Sequence, residues 1–112
     1  MASRAPRRDN GGKPPGELPA PPSSNQAEQA LLGGLMLDNQ SWDKVADAVT
    51  DQDFFRPDHQ LIFAGIRTLS ERSQPADPVT LSALLASRGE LDAVGGTAYL
   101  AELVDDTPSA AN

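Results

Sequence analysis

Three prolines at predicted helix starts, Pro57, Pro78 and Pro108, divide this chain into short helical segments. Proline has no backbone N–H and a fixed φ, so the first turn of a helix accepts it at no cost. Asp77 and Thr107 stand directly before two of these prolines and are typical N-cap residues. Apolar residues between the signals recur at helical spacing, and no apolar–polar alternation is long enough to predict a strand. The sequence therefore predicts an all-α fold.

The first predicted helix begins at Asn25, where Asn25 and Glu28 fit a capping box. A second helix is expected over about residues 41–49, and the adjacent Phe54 and Phe55 are expected to fill the core. The apolar positions of the first helix are Ala27, Ala30, Leu31, Gly34 and Leu35, with Leu37 at the margin. The apolar positions of the second are Trp42, Val45, Ala46 and Val49.

Three further helices are predicted from Pro57, from Pro78 to about Arg88, and from Thr97 as a cap to about Val104. The Gly95–Gly96 pair is expected to break the chain between the last two. The helix from Pro57 has apolar positions Leu61, Ile62, Gly65, Ile66 and Leu69, with Phe63 at the flank. The helix from Pro78 has Val79, Leu81, Leu84 and Leu85. The helix after Thr97 has Tyr99, Leu100, Leu103 and Val104. The prediction is one compact bundle of about five or six short helices, the last cut off soon after Thr107.

Residues 1–24 form a separate segment, rich in proline and glycine, which holds six of the ten prolines. Such a segment cannot bury enough apolar area to offset its ordering entropy, so we expect a disordered leader. The competing interpretation is a weak basic or proline-rich docking arm, because Pro-Pro pairs favour the extended polyproline helix. The folded domain is therefore expected over residues 25–112.

Charge divides unevenly between these segments: the formal charge of −7 comprises +2 in residues 1–24 and −9 in residues 25–112. A folded part this acidic is a poor candidate for gripping DNA phosphates and suits a basic protein partner. The chain has no cysteine, so disulfides and thiolate metal sites are excluded. It has neither a signal peptide pattern nor an apolar run of about 18 residues, so a soluble cytoplasmic protein is expected.

No catalytic, cofactor-binding or metal-binding residue is predicted. The single histidine, His59, is interpreted as a surface or helix-start residue rather than a general base. Asp51 and Asp53 lack the glycine and glutamate of a calcium loop and are interpreted as solvated turn residues. A phosphate-binding loop requires Gly-Lys-Ser/Thr, which is absent. The Gly33–Gly34 pair is instead interpreted as a place where another helix packs closely.

Tyr99, the only tyrosine, is the one side chain that the sequence marks for partner recognition. Amphipathic aromatic residues are enriched at protein interfaces. The competing interpretation is a core residue whose hydroxyl lies at the surface. Arg67, Arg72 and Arg88 are predicted to form either a small basic spot or, more simply, a solvated helical face.

Five segments in order resemble the N-terminal domain of the bacterial replicative DNA helicases of the DnaB family. Each segment is moderately specific, and together they cover nearly all of the predicted folded part. They are NQAEQALLGGLMLDN (25–39), DFFRPDHQLIF (53–63), DPVTLSALL (77–85), GELDAVGGTAYLAEL (89–103) and TPSAAN (107–112).

The resemblance implies a homohexameric, ATP-driven 5′→3′ helicase that encircles single-stranded DNA, with N-terminal domains that form a collar. The collar would support the hexamer and recruit primase, and the Tyr99 face would contact primase. ATP and magnesium would be bound by a C-terminal domain beyond this chain. The resemblance also implies that this chain lacks the family's helical hairpin. The segment itself is expected to bind neither ATP nor DNA tightly. The alternatives are a stand-alone acidic helical adaptor and a small enzyme with an unrecognised site.

Overall fold

Five α-helices joined by short 3₁₀ turns make up the described part of the chain in the computed structural model, which describes residues 24–107. Within that range there is no strand, so the all-α prediction is confirmed. The predicted leader, apart from Ser24, and the helix expected after Thr107 lie outside the described residues. The helices are α1 (Asn25–Leu37), α2 (Trp42–Ala48), α3 (Pro57–Glu71), α4 (Pro78–Ser87) and α5 (Gly96–Asp105).

The proline start signals are confirmed where the structure describes them. Pro57 and Pro78 are the first residues of α3 and α4. Asp77 caps α4: its Oδ1 accepts from the backbone N–H of Thr80 at 2.9 Å, and the Thr80 hydroxyl accepts from the backbone N–H of Asp77 at 3.0 Å. These local bonds fix the start of α4 independently of the rest of the fold, whereas the start of α3 has its proline but no side-chain cap.

Two predicted cap residues are wrong by one or two positions. The hydroxyl of Ser24, not the side chain of Asn25, caps α1 by accepting from the backbone N–H of Ala27 at 3.0 Å. Glu28 takes no part in a capping box, because its carboxylate lies inside the protein. Gly95, not Thr97, precedes α5, in the left-handed conformation with φ of +95°.

The core lies where α3 packs against α1 and α4 and where α5 packs against α1 and α4. Phe54 and Phe63 form its aromatic centre, with ring centroids 5.0 Å apart, and the Trp42 ring packs against Phe63 in a tilted orientation at 5.2 Å. The other buried apolar side chains are Leu32, Leu35, Met36, Val45, Val49, Ile62, Ile66, Leu69, Ala76, Leu81, Leu85, Val94, Leu100 and Leu103.

The predicted buried face of α1 is wrong by about one position. Leu35 is buried as predicted, but Leu32 replaces Leu31 in the core and Ala30 is exposed. The helix is apolar almost all round from Ala30 to Leu37, so its sequence alone does not select one face. The close approach of α5 to Gly33 selects it instead.

Three predicted core side chains outside α1, those of Ala46, Phe55 and Val79, are exposed. Phe54 is only 1% exposed, whereas Phe55 is 90% exposed. The backbone at Phe54 is extended, so consecutive side chains point to opposite sides and only one of the pair reaches the core. Val79 is 75% exposed, since the buried positions of α4 begin at Leu81.

The glycine predictions are confirmed in part. A Cβ on Gly33 would clash with the hydroxyl of Thr107 and with the carbonyl oxygen of Leu103, so α5 does pack closely there. A Cβ on Gly34 would meet nothing within 4 Å. Gly95 and Gly96 have positive φ, as expected for the break before α5.

This contrast predicts opposite effects of the same substitution at two adjacent positions. Gly33→Ala should lower the free energy of unfolding by about 1–3 kcal/mol, because a backbone oxygen of α5 must move. Gly34→Ala should raise it by about 0.5–1 kcal/mol through helix propensity. Urea unfolding of both variants measures the difference, and equal effects would contradict the close packing of α5 on Gly33.

The two phenylalanines provide a second test of the packing. Phe54→Ala should lower the free energy of unfolding by about 3–5 kcal/mol, because it leaves a cavity in the aromatic centre. Phe55→Ala should change it by no more than about 0.5 kcal/mol, because the side chain is exposed. Thermal unfolding monitored by circular dichroism measures both. A large loss from Phe55→Ala would show that its ring is packed.

Candidate functional site

A chain of buried polar side chains links α1, α3 and α5. His59 Nδ1 lies 2.6 Å from Glu28 Oε1, and His59 Nε2 lies 2.7 Å from the Tyr99 hydroxyl. The exposed fraction is 2% for Glu28 and 0% for His59. The His59 and Tyr99 rings are nearly parallel, with centroids 6.0 Å apart. We call Glu28, His59 and Tyr99 the polar relay.

The second carboxylate oxygen of Glu28 fixes the loop before α3. Glu28 Oε2 accepts from the backbone N–H of Phe55 at 2.6 Å, and Oε1 accepts a longer bond from the N–H of Arg56 at 3.5 Å. Burial by itself would raise the pKa of Glu28, but the hydrogen bonds from Phe55 and His59 together hold this pKa below its ordinary value. Glu28 is therefore a buried, ionised carboxylate.

The hydrogen bond to Glu28 assigns one proton of the polar relay. An ionised carboxylate only accepts, so Nδ1 of His59 carries the hydrogen shared with Glu28. Gln29 Nε2 donates to the Tyr99 hydroxyl oxygen at 3.2 Å. Both ring nitrogens of His59 therefore have a hydrogen-bond partner.

His59 was predicted to lie at the surface or at a helix start. It does lie at a helix start, but it is not at the surface. It is the third residue of α3, but its side chain is completely buried. The partners of His59 are 31 and 40 residues away in the sequence, so no local pattern indicated them. The one available signal was Glu28, a charged residue within an apolar helix.

Arg56 lies over the outer part of the polar relay. Its guanidinium carbon is 5.7 Å from the centroid of the Tyr99 ring, within range of a cation–π interaction. Its Nε donates to Asp58 at 3.0 Å and its Nη1 donates to Asn25 at 2.8 Å. Burial opposes ionisation of Asp58, but the hydrogen bond from Arg56 holds the pKa of Asp58 below its ordinary value. Arg56 is thus held in place by an ion pair.

Tyr99, the predicted partner-binding residue, borders an open depression on the surface. The ring is half-buried and the hydroxyl is turned inward to His59, so the interpretation of a core tyrosine with a surface hydroxyl is wrong. The acidic residues around the depression are Asp58, Asp92, Glu102, Asp105 and Asp106. This surface suits contact with a basic partner.

The single histidine is not accessible to a substrate, because His59 is completely buried. In residues 24–107, no three His, Cys, Asp or Glu side chains are grouped so as to hold a metal ion. A Gly-Lys-Ser/Thr loop for phosphate is absent from the sequence.

Two of the three arginines predicted as a basic spot or a solvated face make side-chain contacts. Arg67 forms an ion pair with Asp51 at 3.1 Å, and Arg88 donates to the Thr68 hydroxyl at 2.9 Å. Arg72 directly follows α3 and is exposed. Asp53 caps a 3₁₀ turn through the Thr50 N–H. Among the helices from residue 24 to residue 107, none is long and apolar enough to cross a membrane.

Comparisons with known proteins agree on one family. The family model described as the DnaB-like helicase N terminal domain matches residues 20–112. The replicative DNA helicase DnaB of Haemophilus influenzae is 46% identical over 112 residues, which are all of this chain and 24% of that protein. The Geobacillus stearothermophilus helicase is 41% identical over 92 residues, 82% of this chain and 20% of that protein.

Solved structures give the same result. The crystal structure of the N-terminal domain of DnaB helicase from Mycobacterium tuberculosis superposes with a TM-score of 0.76 at 41% identity. The match covers 82% of this chain and 66% of that one. The chain spans about a fifth to a quarter of the length of the curated helicases that it matches.

The polar relay predicts a specific acid sensitivity. Because the pKa of Glu28 is lower in the folded state, its stabilisation is complete above the ordinary value of 4.5 and is lost as the pH falls through the folded-state value. Glu28→Gln should lower the free energy of unfolding by about 2 kcal/mol at neutral pH. The substitution should also reduce the further loss of unfolding free energy that acidification causes in the wild type.

Urea unfolding of both proteins between about pH 7 and about pH 3 measures this difference. His59→Gln, which keeps Glu28, is the matched variant and should retain an acid-dependent loss. Parallel pH profiles for wild type and Glu28→Gln would contradict an ionised Glu28.

Proposed function

We propose that this chain, which belongs to the DnaB-like helicase N-terminal domain family, serves as the collar of a replicative DNA helicase. In this role it would hold the subunits of a hexameric ring in register and recruit primase, so that primer synthesis is coupled to unwinding. The work of the segment would be protein contact alone. It would act in the cytoplasm, where the bacterial chromosome is replicated.

The placement of the motor outside this segment is supported by a motif that the sequence lacks and by the names and lengths of its relatives. The related proteins are named replicative DNA helicases and are about four to five times as long as the matched segment. A helicase motor requires ATP and magnesium, and the Gly-Lys-Ser/Thr loop that holds the phosphates is absent from this sequence. We therefore assign ATP hydrolysis and the grip on single-stranded DNA to the part of the helicase outside this segment.

The observation that carries the proposal is the acidic depression beside a fixed aromatic ring. DNA-binding surfaces are basic, whereas the folded part of this chain is strongly acidic. The hydroxyl of Tyr99 is bound to His59 and Gln29, which fixes the ring at the border of the depression. A rigid aromatic residue within a charged rim is typical of protein–protein contacts. We assign this surface to primase.

A primase titration tests the assignment. The complete gene product is labelled, and purified primase from the same organism is added while fluorescence anisotropy is followed. Tyr99→Ala should raise the dissociation constant about tenfold or more, as loss of an anchoring aromatic residue does.

Tyr99→Phe is the control, because it removes only the hydroxyl that faces His59. It should keep more of the affinity than Tyr99→Ala does, provided that thermal unfolding shows both variants folded. Unchanged affinity in a folded Tyr99→Ala protein would refute the assignment of this surface to primase.

A further inference from the structure

We propose that Phe55 is a second anchor for the partner that contacts Tyr99, on one docking surface that runs from Tyr99 across Arg56 to Phe55. The partner that fits this surface is a protein with a basic segment that also presents an apolar side chain. The inference rests on the proposed function, since it extends the surface assigned to primase. It adds a contact residue that sequence analysis had placed in the core.

Phe55 is exposed in a way that ordinary surface residues are not. Its side chain is 90% exposed, although Phe54 beside it is almost completely buried. Its backbone N–H is bonded at 2.6 Å to Glu28, whose carboxylate is itself 2% exposed. Water does not readily replace a bond to so buried an acceptor. The backbone of Phe55 is therefore held in place, so only the rotamers of its side chain remain to be ordered when a partner binds.

Arg56 connects Phe55 to Tyr99 along the surface. Phe55 borders a depression at the start of α1 and α3, and Tyr99 borders the acidic depression next to α5. Arg56 borders both depressions, and its guanidinium group lies over the Tyr99 ring. Exposed aromatic residues and arginine are the side chains most enriched at binding hot spots. The three residues thus form one surface of interface character.

The buried relay fixes the two anchors relative to each other. One oxygen of Glu28 accepts from the Phe55 N–H, and the other accepts from His59, which binds the Tyr99 hydroxyl. A single buried carboxylate therefore positions both aromatic residues, though they are 44 positions apart in the sequence. A pre-arranged pair of anchors reduces the entropy lost on docking.

Charge determines the kind of partner. Asp53 borders the Phe55 depression, and five acidic side chains surround the Tyr99 depression. The charge of Arg56 is already paired with Asp58. The surface thus attracts positive charge around two aromatic residues, which suits a basic segment with an apolar side chain.

Val79 supplies a matched control for the experiment. It is also a large exposed apolar residue, at 75%, but it lies at the start of α4. It borders neither of the two depressions that Arg56 joins. A general effect of removing exposed apolar area would appear in Val79→Ala as well, whereas a specific anchor would not.

Purified primase is titrated into the complete gene product in wild-type, Phe55→Ala and Val79→Ala forms, with fluorescence anisotropy as the readout. Phe55→Ala should raise the dissociation constant about tenfold, and Val79→Ala should change it less than about twofold. Both variants should keep the wild-type melting temperature, because neither side chain is packed. Added salt should weaken binding of wild type and of both variants, as expected for a basic partner.

The outcomes separate this inference from the proposed function. If Phe55→Ala binds like wild type while Tyr99→Ala binds weakly, the docking surface ends at Tyr99 and the inference is overturned alone. Equal weakening by Phe55→Ala and Val79→Ala overturns it as well. If wild type does not bind primase, the proposed function and the inference both fail.

Discussion

The contact between the carboxylate of Glu28 and the imidazole of His59 is the interaction on which the arrangement of this domain depends. It lies inside the protein and joins α1 to α3 at 2.6 Å. Through its other hydrogen bonds it also fixes Tyr99 on α5 and the loop that carries Phe55. A buried charge is costly unless all its partners are present, so these elements are held in one mutual arrangement.

This polar relay explains how a small domain can present a defined surface. Apolar packing alone tolerates small rotations of helices, because one methyl group substitutes for another. Hydrogen bonds at 2.6–2.7 Å do not tolerate them. The surface around Tyr99 and Arg56 inherits this rigidity, because its residues are bonded directly to the relay or lie against it. In the proposed role, such a constraint would present the same geometry to every partner.

The positions of the helices followed from short-range signals in the sequence. Pro57, Asp77 with Pro78, and the Gly95–Gly96 pair each act on the backbone within a few residues, and the structure has helix boundaries at all three. The rotation of α1 about its own axis did not follow from such signals. Its sequence is apolar almost all round, and only the approach of α5 to Gly33 determines which residues face the core.

The sequence by itself determined the all-α class, most helix boundaries, the acidic character and the family, because each depends on local chemistry or on ordered motifs. Tertiary structure alone decided that His59 is buried, that Phe54 and not Phe55 enters the core, and that the Tyr99 hydroxyl points inward. Each of these depends on partners that are tens of residues away. A hydrogen bond or a packing contact between distant segments has no local pattern, so only the assembled fold brings its two halves together.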